Sequence, residues 1–98
     1  MKHTSTVKGF DGTNEDLAHN VGDLFYDSLS DFLKSLSEKI KDDGEQDLGR
    51  GRKKLAKELH SCSIHLAEAA QNIDAAWDIC EPYVDQWFAK RGITRGDS

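Results

Sequence analysis

Between residues 55 and 87, apolar side chains recur at alternating steps of four and three: Leu55, Leu59, Cys62, Leu66, Ala69, Ile73, Ala76, Cys80, Tyr83, Trp87. An unbroken heptad line of this length is the pattern of a long helix that buries one stripe against other helices. Few architectures accept such a helix, and all of them are helical. Beside the line, Ala56, Ser63 and Ala70 repeat at seven-residue intervals, small enough to let another helix approach closely. The expected limits of this helix are residues 52–90, with Gly92 ending it. Pro82 removes one backbone hydrogen bond and sets its ring against the carbonyl of Asp78, so a kink or a break is expected there.

A second apolar face precedes it. Ala18, Val21, Phe25, Leu29, Phe32, Leu36 and Ile40 follow a period near 3.6, widened by Leu17, Leu24 and Leu33, which predicts one amphipathic helix over residues 14–41. Thr13 followed by Asp16 approximates a capping box at its start. Asp42, Asp43 and Gly44 supply turn formers at its end, so residues 42–51 read as the connection. The expected fold is therefore all-α, an antiparallel hairpin over residues 13–91. A flexible arm over residues 1–12, where Phe10 covers one end of the bundle, and a flexible tail over 92–98 complete the chain. Two helices alone make a poor core in a chain of 98 residues, and unequal lengths leave Tyr83, Trp87 and Phe88 without a partner. A homodimer of hairpins, forming a four-helix bundle, removes both problems.

Charge is unevenly spread. Eleven acids against three lysines occupy residues 11–47, five bases and no acid occupy 50–57, and six acids and no base occupy 58–89. The basic first turn of the second helix opposes its own dipole, an imbalance that Asp42 and Asp43 are placed to offset across the hairpin. Five clustered bases without interleaved aromatics, on a chain of net charge −5, argue against direct nucleic-acid binding. The opening residues lack the apolar run of a secretory signal and no segment is apolar enough to span a bilayer, so a cytoplasmic protein without membrane contact is expected. Cys62 and Cys80 lie about 27 Å apart on a continuous helix, too far to bridge. They read as buried apolar fillers.

The chain carries no nucleophile paired with a base and no phosphate-cradling loop, so no enzyme and no cofactor is expected. On the first helix His19, Asp23, Asp27 and Asp31 form an i, i+4 ladder, continued at Glu38. Like charges at that spacing cost helix stability, which leaves a docking surface for a basic protein as its functional reading. The expected function is an adaptor, regulator or inhibitor acting through this acidic face, on a partner that itself binds nucleic acid in one version. Tyr83, Trp87 and Phe88 form a second candidate contact surface. The alternative is a metal- or ligand-binding bundle. Glu58, Cys62 and His65 fall at i, i+4 and i+7, share one helical face, and are all zinc-ligand types. His60 points about 140° from His65 on a regular helix, so these two cannot share an ion.

Overall fold

The computed structural model describes residues 3–91, with side chains for residues 3–84. Three helices and no strand occur among them: α1 (Asn14–Gly22), α2 (Tyr26–Gly49) and α3 (Lys53–Arg91). No helix among the described residues is long and apolar enough to cross a membrane.

The Thr13 capping box forms as the sequence implies. Asp16 N donates to Thr13 Oγ1 at 3.0 Å and Thr13 N donates to Asp16 Oδ2 at 3.1 Å. That backbone N–H, with the Thr13 hydroxyl second, holds the Asp16 carboxyl below its usual value. The single first helix does not form, however. α1 stops at Gly22, Asp23 caps it through bonds from its N–H to His19 O and Asn20 O, and Phe25 adopts extended backbone before α2 begins. Gly22 weakens the helix at this point. The break turns Leu17 and Val21 of α1 toward a groove shared with Leu29 and Phe32 of α2, and it lays the Phe25 ring against Trp77 at 6.3 Å between centroids.

The end of α2 also differs from expectation. Asp42, Asp43 and Gly44 do not form a turn; the helix runs on to Gly49, and the connection shrinks to residues 50–52. Gly44 is buried on the line where α2 meets α3. A Cβ there would sit 3.3 Å from Leu59 Cβ and 3.5 Å from Ala56 O. A glycine that reads locally as a turn former serves instead as a point of close helix approach, and contact with α3 offsets its helix cost of about 1 kcal/mol. The turn itself falls to Gly51, whose φ of +79° is the left-handed conformation that ends helices.

α2 and α3 form the antiparallel hairpin. Ser30, Ser37 and Gly44 of α2, also seven residues apart, face Ala70, Ser63 and Ala56 of α3, and all six are buried. Ser30 Oγ donates to Ala70 O at 3.2 Å and Ser37 Oγ donates to Ser63 O at 2.6 Å. Each hydroxyl reaches the backbone of the opposite helix, which only small facing residues permit. The contact line on α3 is therefore 56, 59, 63, 66, 70, 73 and 77, with Leu59, Leu66, Ile73 and Trp77 half-buried. It shares Leu59, Leu66 and Ile73 with the heptad line read from the sequence. The helix is turned so that the small flank joins these residues against α2, while Leu55, Cys62, Ala69 and Ala76 fall to one side.

α3 runs unbroken through Pro82 to Arg91, so a second short helix beginning at Pro82 is excluded. Residues 3–12 carry no helix or strand. Asn14 Nδ2 donates to Ser5 O at 2.8 Å, and the half-buried Phe10 ring lies over Gly12. Residues 92–98 lie outside the described part.

Candidate interaction surface

The hairpin has two unlike sides, and helix geometry decides which residues share each. Successive residues turn by about 100°. Leu29, Leu36 and Ile40 lie behind the contact line of α2, and Leu55, Cys62, Ala69 and Ala76 lie behind that of α3. Antiparallel pairing mirrors one helix onto the other, so both apolar shoulders fall on the same side of the hairpin. They make one continuous two-helix face.

This face is poorly covered. Among the described residues, the only buried hydrophobic side chains are Ala56 and Ala70, both alanines of the inner seam. Large apolar side chains stay accessible around it, including Leu55 at 41 %, Phe32 at 43 % and Tyr83 at 68 %. Cys62 is exposed and Cys80 half-buried, so Cys62 is not the buried filler that its heptad position suggests. Toward the α1 end of the face, residues 4–8, α1, Leu29 and Phe32 enclose an open groove of about 690 Å³. Phe25, Cys80, Tyr83 and Val84 line a smaller hollow of about 340 Å³ beside it.

The opposite side is polar. Lys34 Nζ lies 3.2 Å from Asp74 Oδ2 across the two helices. The buried Ser30 hydroxyl first, and Lys34 second, hold the Asp74 carboxyl below its usual value. Asp27, Asp31 and Glu38 are exposed on α2. The ladder read from the sequence is nevertheless interrupted, because His19 belongs to α1, where its Nε2 lies 4.0 Å from Glu15 Oε1, and Asp23 caps that helix. The break at residues 23–25 separates these two from Asp27 and Asp31. The surviving acidic patch is Asp27, Asp31 and Glu38.

At the hairpin tip, charge pairing differs from expectation. Asp43 binds Lys39 on its own helix, with Nζ at 2.6 and 2.7 Å from the two carboxylate oxygens. The acid that meets the basic turn is Asp47. It is 1 % exposed, its Oδ1 accepts from Arg52 at 3.1 Å, and its backbone carbonyl accepts from Arg52 N at 2.9 Å. Asp47 Oδ2 is buried with no hydrogen-bond partner among the described residues. Asp47 is not legible as a contact residue while residues 42–51 read as a loop; extending the apolar period of α2 by two turns puts residue 47 on the contact line.

Of the other candidates, Tyr83 is exposed, while the side chains of Trp87 and Phe88 lie outside the described part. Glu58, Cys62 and His65 are all exposed, and among the described residues no group of three or more His, Cys, Asp or Glu is arranged to hold a metal ion. Comparison with protein-family models, curated proteins and solved structures finds no match to this chain.

Proposed function

We propose that this protein is a small non-enzymatic interaction module, an adaptor, regulator or inhibitor, whose own fold supplies only part of the core it needs. The observation behind this reading is the uncovered two-helix face. A hairpin that buries alanines, serines and a glycine, yet leaves Leu55, Phe32 and Tyr83 accessible, gains little from apolar burial by itself. Contiguous apolar surface of this kind marks contact with another protein. Two hairpins joined through it make a four-helix bundle, and the polar side then faces outward with Asp27, Asp31 and Glu38 available to a basic partner. A partner that binds nucleic acid has such a basic surface, and occupying it is the inhibitory form of the proposal.

The experiment compares proteins retained from extract by the wild-type chain with those retained by the Asp27→Lys/Asp31→Lys/Glu38→Lys variant, after circular dichroism shows equal helix content. A basic protein held by the wild type and lost by the variant is the expected result. Identical retention removes the acidic side from the proposal.

A further inference from the structure

Residues 50–57 carry five bases and no acid, and among the described residues the fold pairs only Arg52 of these with a carboxylate. Lys53, Lys54 and Lys57 stand at the first turn of α3, the positive end of its dipole, where cations cost helix stability. Asp43, expected to offset them, is taken by Lys39. Lys53 and Lys57 instead wall a groove of about 260 Å³ on the polar side of the tip, together with Lys41 of α2. Helix geometry explains the convergence. Residues 41 and 48 stand three before and four after Gly44, and residues 53 and 60 stand three before and four after Ala56, so the four ring the close approach of Gly44 to Ala56. With only a hydrogen at 44 and a methyl at 56, both buried, the floor of the groove is recessed, and Leu48, 55 % exposed, gives it an apolar wall. The three lysines and His60 are exposed around it. Glu45 is the single carboxylate among the lining residues and lies within ion-pair distance of none of the lysines. Three ammonium groups against one carboxylate leave the walls at +2 before His60 is counted.

We propose that this groove binds a phosphate monoester, its dianion held by Lys41, Lys53 and Lys57 and its organic part laid against Leu48 and the recessed floor. The site is separate from the apolar face and from the acidic patch of Asp27, Asp31 and Glu38. Charge decides the class of ligand. A phosphate monoester carries close to two negative charges at neutral pH, which matches the walls, whereas a carboxylate or a phosphodiester carries one. Lysine suits the group, because a compact charge on a flexible stem can meet any of its oxygens, and His60 adds a ring N–H donor. Size decides against a polymer. A space of about 260 Å³ takes one phosphate and a small substituent, and the exposed Glu38, Asp42 and Glu45 along α2 repel a continuing run of phosphates.

Amide chemical shifts of the full chain, followed during titration with phenyl phosphate, inorganic phosphate and phenol, test this at low salt and about pH 7.5, above the second phosphate pKa. Phenyl phosphate is expected to give saturable shifts centred on Gly44, Leu48, Lys53 and His60. Inorganic phosphate is expected to bind about tenfold more weakly, and phenol not at all. Lys53→Gln/Lys57→Gln changes two exposed side chains, so it is expected to keep the wild-type circular dichroism and to weaken phenyl phosphate about tenfold or more. Leu48→Ser is expected to bring the ester down to the affinity of inorganic phosphate. Absent shifts, shifts that spread over every lysine-bearing stretch without saturating, or unchanged affinity in the double-lysine variant overturn the proposal. Phenol binding as well as the ester overturns it too, because the groove is then merely apolar. Inorganic phosphate binding as tightly as the ester overturns the role given to Leu48 and makes free phosphate the ligand.

Discussion

Cys62 and Ser63 are neighbours on one turn of α3 and sit in opposite circumstances. Ser63 is 3 % exposed, its carbonyl accepts the Ser37 hydroxyl at 2.6 Å, and its own hydroxyl donates to His60 O at 2.7 Å. Cys62, one step around the helix, is exposed. The first belongs to a seam that depends on having little bulk; the second belongs to a face with apolar bulk and nothing among the described residues placed against it. Close packing and apolar surface are therefore separated on this helix. The fully packed positions of the hairpin seam are small and partly polar, Leu59, Leu66, Ile73 and Trp77 join them only half-buried, and Leu55 and Tyr83 lie beside them exposed.

Leucine at each of these two positions breaks the comparison most sharply. Ser63→Leu drives a branched side chain into the backbone of α2 and is expected to destabilise the hairpin by ~3 kcal/mol, in the upper range for overpacking. Cys62→Leu is expected to leave the fold intact and change thermal stability by less than ~0.5 kcal/mol, as surface substitutions do. Equal melting temperatures for the two variants would contradict the seam described above. Arg52→Ala comes next. It strips the buried Asp47 of its side-chain partner, and a loss of about 1–2 kcal/mol in urea unfolding is expected, reduced from the fully buried case because Arg52 itself is half exposed. Ser37→Ala removes one buried hydroxyl-to-carbonyl bond within the seam and should cost about 1 kcal/mol by the same measurement.

The smallest effect is a pH dependence. The Asp16 and Asp74 carboxyls are both held below the ordinary value of 3.8 in the folded chain. Below that value the unfolded state binds protons that the folded state does not, so stability rises with pH in this window. The contribution is fully present above about pH 4 and is lost as pH falls through the two depressed values. Urea midpoints measured from pH 2 to pH 6 should fall on the acid side, and Asp74→Asn combined with Asp16→Asn should flatten that limb.

Much of this fold is legible from short-range pattern. The heptad line placed α3 within one residue of its observed limits, and Thr13 with Asp16 marked the start of α1, because periodicity and capping act within a few residues. Gly44 and Gly22 could not be read so locally. Each is a glycine in a helical pattern flanked by aspartate; one lies in mid-helix and the other ends its helix. What separates them is the presence of Leu59 and Ala56 over Gly44, while nothing lies within 4 Å of a Cβ at Gly22. The acidic ladder was misread for the same reason, since it assumed an unbroken helix across Gly22. The small stripe at Ala56, Ser63 and Ala70 was visible in the sequence, but its counterpart at Ser30, Ser37 and Gly44 became evident only once α2 was seen to extend through residue 44.

By itself the sequence determined an all-helical chain, an antiparallel pair and the length of its longest helix, because these follow from apolar period, capping and proline or glycine placement. Tertiary structure decided which side of α3 faces inward, where the first helical region divides, and that Asp47 rather than Asp42 or Asp43 meets the basic turn. These are choices between faces that are nearly equivalent in hydrophobicity. Steric fit makes the choice: α2 settles where α3 has the least bulk, and that leaves the larger apolar side chains turned outward.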